Sequence, residues 1–264
     1  MGGRYTADSS VWLRISAPTT IAVAKSKPLR IDAQPAFVLH HYPYRETSRL
    51  LEVFSRDHGR LALVARGAQR PGSQLRAVLL GFQPVMLSWF GTGEVKTLHS
   101  AEWQGGIPQP TGLPLLCGFY LNELLLRLLP RDEPNPALFA AYFEAVRDLA
   151  IFSSEKDSVE PILRNFERQL LQTTGYGPDW RVTSSGEPVI AGLEYVFLPG
   201  QGIVPARADL PRYDGSALLA FACGDMQSEK VLGQSKMLMR QAFSAILGDE
   251  PLHTRQLLLD LQKL

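Results

Sequence analysis

Arg60, Arg66, Arg70 and Arg76 fall between Asp57 and Glu94 in a stretch with no Asp or Glu, and Lys96 stands just beyond it. Cations gathered without compensating carboxylates are the footprint expected of contact with a phosphate backbone. The solvated exterior of a small β-barrel would explain the same pattern equally well. Period-two alternation puts Arg60, Val64 and Arg66 on one face of a strand, opposite Leu61 and Leu63. Arg70 and Arg76 then carry the charge into the following loop.

Catalytic and metal chemistry find less support. His40 and His41 are neighbours in a predicted strand, which aims them at opposite faces and keeps them from chelating one metal. Gly91–Thr97 (GTGEVKT) lacks the GxxxxGK[ST] spacing of a phosphate loop and lies between two predicted strands, so it offers no helix N-terminus to an anion. GxGxxG, GxSxG and HExxH are absent. Cys117 and Cys223 are the only cysteines, far apart and outside any zinc-ligand spacing. No catalytic residue, cofactor or metal is expected, and the chain is not read as an enzyme. A hydrolase built on converging carboxylates stays open as a third class, behind two kinds of nucleic-acid binder.

The elements that must hold these residues divide the chain. Phe37–His41, Leu50–Phe54, Leu61–Ala65, Pro84–Phe90 and Glu94–Ser100 read as strands, with Asp57-His58-Gly59 and Gly91-Thr92-Gly93 as hairpin turns. Five short strands in about 70 residues predict a closed barrel of the OB type, which pairs a positive groove with stacking aromatics. Tyr42, Tyr44, Phe82, Trp89 and Phe90 are available for stacking. Beyond a linker at Gly105–Pro110 helices take over. Leu115–Leu129 is apolar nearly all round. Asn135 and Pro136 form a cap and first-turn pair ahead of Phe139, Tyr142, Phe143, Val146 and Leu149. A third helix runs from Ser158 to a Gly175 stop, another from Ser228 to Leu247, and a last from about Thr254. Residues 176–212 are turn-rich and too small for a core of their own. The predicted fold class is α+β: an extension of residues 1–32, expected to be disordered, a five-stranded OB-fold barrel of residues 33–105, and a helical domain of residues 106–264 containing the small insert.

The net charge of +1 over 264 residues argues, taken whole, against a strongly basic nucleic-acid binder. Divided at the linker it does not: residues 1–105 hold 13 Lys/Arg against 7 Asp/Glu, and the remainder 14 against 19. A hydrophobic content of 45% and a charged content of 20% exclude disordered, collagenous and disulfide-rich classes. Thr20–Ala24 is too short for a signal-peptide core, and Asn122, Glu123 and Arg127 interrupt the most apolar helix. A cytoplasmic protein without a membrane span is expected. In the acidic half, Arg127, Arg131, Arg147, Arg164 and Arg168 could rim a groove for an apolar, acidic peptide tail; plain helical core is the competing reading.

A series of ordered matches then carries a resemblance. Tyr44-Arg45-Glu46-Thr47-Ser48, Val53–Arg60, Val64–Ala68, Gly93–Leu98, Gly118–Leu125, Arg164-Asn165-Phe166-Glu167, Gly175-Tyr176-Gly177, Ser185–Pro188, Met239–Ala242 and Pro251–Leu257 together resemble the RecO family of DNA repair proteins, from about residue 35 to the C-terminus. The resemblance implies an OB-fold, a helical domain and an insert that in some branches carries a four-cysteine zinc site; without those cysteines this chain resembles the zinc-free branch. It implies a non-enzymatic recombination mediator of the RecF pathway. Such a protein binds single- and double-stranded DNA, anneals strands, contacts the acidic tail of single-stranded DNA-binding protein (SSB), and with RecR and RecF helps load RecA. The acid-free basic stretch makes Arg60, Arg66, Arg70, Arg76 and Lys96 the expected DNA contacts, and charge and helix context make Arg127 and Arg131 the expected SSB-tail contacts. The alternative is a general OB-fold single-strand binder, of DNA or RNA, without mediator activity.

Overall fold

A computed structural model describes residues 30–152, 158–207, 210–248, 250, 252–254 and 256–257. Strands β1 (Arg30–Tyr44), β2 (Ser48–Ser55), β3 (Gly59–Ala65), β4 (Val85–Phe90) and β5 (Val95–Trp103) close into a barrel in the order β1-β2-β3-β5-β4. Neighbours are antiparallel except β3 and β5. This is the five-stranded OB arrangement, and with the helices that follow it makes an α+β chain.

The first strand begins earlier than its apolar run suggests. Residues 1–29 of the expected extension lie outside the described residues, but residues 30–32 open β1. One strand must close the barrel by pairing with both edges, so it is long. Arg30–Ala36 pairs with β4 and Ala36–Tyr44 with β2. The early half is hidden in the sequence because Ala33 takes a positive φ of 48° and the register slips between Ile31 and Gln34, which breaks the alternation. A short helix, α1 (Gln74–Val78), also stands where a loop was expected, and it sets Leu75 and Val78 against the barrel interior.

The helical part comprises α2 (Gly112–Leu128), α3 (Pro136–Ile151), α4 (Glu160–Thr173), α5 (Gly215–Cys223) and α6 (Glu229–Leu247). Asn135 caps α3 as expected, its side chain accepting from the Leu138 N–H at 3.0 Å. Gly175 follows α4 with φ 75°. The insert is more ordered than turns alone: β6 (Glu194–Leu198), β7 (Gly202–Pro205) and β8 (Tyr213–Asp214) form a small sheet in the order β7-β6-β8. It has no separate core, because Trp180 joins it to the helices, 5.6 Å from the Phe197 ring and 5.5 Å from Phe221. Of the last expected helix, His253, Thr254, Gln256 and Leu257 are described as helical; the Glu123 carboxylate accepts from the backbone N–H groups of His253 and Thr254 at 2.7 and 2.9 Å.

Two apolar clusters fill the molecule. One is the barrel interior around Leu51, Val53, Leu61, Leu63, Leu87 and Trp89. The other lies among the helices and reaches out to take in Phe37, Leu39, Phe54 and Phe82 from the barrel's exterior. Phe37 meets Tyr142 edge-on at 5.0 Å and Phe54 meets Phe139 at 5.4 Å. Buried Asn122 ties the seam together, donating to the Leu39 carbonyl at 2.8 Å and accepting from the Tyr142 hydroxyl at 2.6 Å. Each such aromatic contributes about 2 kcal/mol of burial, so the barrel and α3 hold each other in place.

The seam is close at the β2–β3 turn. Gly59 has φ 66°, and a Cβ there would sit 2.0 Å from the Glu133 carbonyl oxygen. Alanine at that position meets both left-handed strain and a backbone clash. Gly59→Ala is expected to lower stability by about 3 kcal/mol, seen as a fall in the thermal unfolding midpoint.

Candidate nucleic-acid interface

The β1–β2–β3 register arranges one outer face in rows. His40 stands beside Glu52 and Ala62, Tyr42 beside Leu50 and Val64, and Tyr44 beside Ser48. Continuing that register by one residue brings Arg66 beside Ser48. The expected alternation in β3 holds, with Leu61, Leu63 and Ala65 turned into the barrel and Arg60 and Val64 outward. The helices cover the end of this face that carries Phe37, Leu39 and Phe54. The other end is open, and His40, Tyr42 and Arg66 are exposed there.

Arg66, Arg70 and Arg76 cluster beyond β3. The Gln69 N–H bonds the Thr47 carbonyl at 2.9 Å, which fastens this loop to the β1–β2 turn. The Arg70 side chain lies over Gly67, within 3.6 Å of where a Cβ would be. Arg76 is in α1. All three are exposed, and among the described residues none has a carboxylate partner. A further cation belongs here that the sequence reading did not name as a contact: Arg45 in the β1–β2 turn, 5.4 Å from the Tyr44 ring centroid. The signal for Arg45 was its place in the hairpin turn, beside Tyr44.

The remaining expected contacts are placed elsewhere. Arg60 Nε donates to the Leu129 carbonyl at 2.8 Å and its Nη1 to Glu52 Oε2 at 3.2 Å. Arg131 Nη2 donates to Glu52 Oε1 at 2.6 Å. One expected DNA contact and one expected peptide contact thus share a single carboxylate, whose side chain is 9% exposed. Burial first, and then the neighbouring Arg131, pull the Arg60 guanidinium below its ordinary pKa, while Glu52 opposes them. Lys96 Nζ bonds Asp132 Oδ1 at 2.6 Å, and the Asp132 N–H bonds the Arg60 carbonyl. Arg60, Lys96 and Arg131 therefore join barrel to helices rather than lining the open face. Glu52 sits in an apolar run, and nothing local marks it as buried.

The suggested arginine rim is also dispersed. Arg147 pairs with Asp148, Arg164 with Glu167, and Arg168 donates to the Ala222 carbonyl. Arg127 bonds Glu250, a side chain 86% exposed. The stacking candidates divide as well: Phe82 and Trp89 are each 1% exposed and belong to the cores, whereas Tyr42 is at the surface. The histidine pair departs from expectation. Although His40 and His41 keep successive register partners, Glu52 and Leu51, the two exposed rings lie 6.2 Å apart at an interplanar angle of 19°. Burial, then Arg49 and His40, hold His41 below the ordinary histidine pKa, against a backbone hydrogen bond that raises it. Cys117 is buried and Cys223 exposed, and neither forms a disulfide. Among the described residues no group of His, Cys, Asp and Glu is placed to hold a metal ion, and no helix is long and apolar enough to cross a membrane.

Comparison with known proteins brings the two halves together. The family model for the recombination protein O N-terminal region matches residues 31–106, and that for the C-terminal region matches residues 110–223. The chain is 49% identical over 246 residues to a DNA repair protein RecO of Chromobacterium violaceum, covering 90% of this chain and 99% of the relative. This chain belongs to the RecO family of DNA repair proteins. Relatives from Aromatoleum aromaticum (49% identical, 90% of this chain and all of the relative) and Azoarcus sp. (50%, 89% and 98%) carry the same name. The two family models divide the chain between residues 106 and 110, in the connection from β5 to α2.

The Glu52 pairings make a stability prediction. Removing one partner of a buried ion cluster leaves its counter-charges uncompensated, at about 3–5 kcal/mol, less where a partner keeps access to water. With Arg131 32% exposed, Glu52→Gln is expected to cost about 2–4 kcal/mol, read as a lower urea midpoint with an unchanged denaturant slope.

Proposed function

We propose that this RecO-family chain is a recombination mediator that works by binding rather than by turnover. It holds single- and double-stranded DNA on the open end of its barrel and anneals complementary strands. Its helical domain engages the acidic tail of SSB, and with RecR and RecF it helps load RecA onto SSB-coated DNA. The observation that carries this reading is the relationship, over nine-tenths of the chain, to proteins named for DNA repair. The exposed arginines of the β3–α1 segment support the DNA part, because phosphate neutralisation by such side chains releases counterions and supplies most of the affinity. For the tail, Arg127 is favoured over Arg131. Its partner Glu250 is an exposed side chain, whereas drawing Arg131 away would strand buried Glu52.

Arg66→Ala and Arg70→Ala should each weaken DNA binding and reduce the slope of log affinity against log salt by about 0.9 for a duplex and about 0.7 for a single strand. Arg60→Ala should leave that slope alone and lower stability instead. Equal slopes in all three variants and the parent would reject the assignment. The mediator role is tested by annealing of SSB-coated strands. Annealing is expected to slow when SSB lacks its tail, and to slow to a similar degree with Arg127→Glu and intact SSB, while naked strands anneal at the parental rate.

A further inference from the structure

If the barrel holds DNA as proposed above, its open face offers more than charge. Tyr42 lies within a paired strand yet is 46% exposed. The His40 ring meets it edge-on, 4.5 Å between centroids and 67° between planes, which braces the phenol ring. Leu50 and Val64, in register with Tyr42 on β2 and β3, are half-buried and continue an apolar floor beside it. Cations border this floor: Arg66 follows β3, and Arg45 leans on Tyr44.

An exposed, braced ring amid cations suits one kind of ligand. In a duplex the base faces are stacked on one another, whereas an unpaired strand presents each base as a π-face to any ring that can lie against it. Phosphates are common to both forms, so arginines alone cannot tell them apart. We propose that Tyr42, braced by His40, is a base-stacking position for single-stranded DNA, a contact that an unpaired strand can make and a duplex cannot.

The test compares binding of the full chain to three labelled probes over a salt series: an oligothymidine, an abasic strand of the same length that keeps phosphates and sugars but no bases, and a duplex. The parent should bind oligothymidine more tightly than the abasic strand. Tyr42→Ala should weaken the oligothymidine complex by about fivefold to a hundredfold, leaving the abasic and duplex affinities and all salt slopes unchanged, and Tyr42→Phe should retain parental binding. Arg66→Ala should do the reverse, weakening all three probes and lowering the slopes. Tyr42→Ala that weakens all three probes alike, or none of them, overturns the stacking assignment. Parental protein that binds none of the probes overturns the barrel as the DNA site altogether, which separates the two failures.

Discussion

The carboxylate of Glu52 is the contact on which the arrangement of barrel and helices turns. It is nearly out of solvent, and its two oxygens accept from Arg60 of the barrel and Arg131 of the segment after α2. A buried charge is tolerated only when its partners are supplied, so the segment carrying Arg131 is drawn against β3. The same approach lets the Asp132 N–H bond the Arg60 carbonyl and brings Lys96 to the Asp132 carboxylate. It also presses Glu133 against the turn at Gly59, a position that takes no side chain. Three of the cations that composition alone would assign to ligands are thereby absorbed into the joint.

What the joint covers decides what is left open. One outer face of β1, β2 and β3 runs from Phe37 and Phe54 at one end to Tyr44 and Arg66 at the other, and the helices reach only as far as Leu39 and Glu52. The slip in register just after Val38 marks the change: Leu39 turns toward the helices with its carbonyl held by Asn122, and the residues after it face water. A β-bulge redirects side chains in this way without ending the strand. The exposed remainder combines half-buried aliphatic side chains, aromatic rings and unpaired guanidinium groups, a surface that a polyanion with flat faces can satisfy on both counts.

Much of the fold was legible before the structure, and for local reasons. The alternation of Leu61 and Leu63 with Arg60 and Val64, the cap at Asn135 and the stop at Gly175 each depend on near neighbours only. The first half of β1 was not legible, because a positive φ at Ala33 and a register slip remove the period by which strands are recognised. The candidate site was half legible. Arg66, Arg70 and Arg76 lie at the surface as their acid-free surroundings suggest, but Arg60, Lys96 and Arg131 have the same residue types and different partners. Glu52 reaches Arg60 from the neighbouring strand and Arg131 from 79 residues away, and Asp132 lies 36 residues from Lys96. The charge contrast also narrows on inspection: residues 30–105 hold nine Lys/Arg against six Asp/Glu, so half of the excess in residues 1–105 lies before the barrel begins.

By itself the sequence determined the five barrel strands and most of the helices, the family, and the concentration of positive charge in the barrel's half, because periodicity, turn chemistry and composition are properties of residues and their neighbours. Only the tertiary structure decided which of those charges face solvent. Whether a guanidinium is a ligand site or a structural tie depends on the carboxylate that reaches it across the fold, and Coulomb attraction in a desolvated corner acts between groups that the chain order keeps far apart.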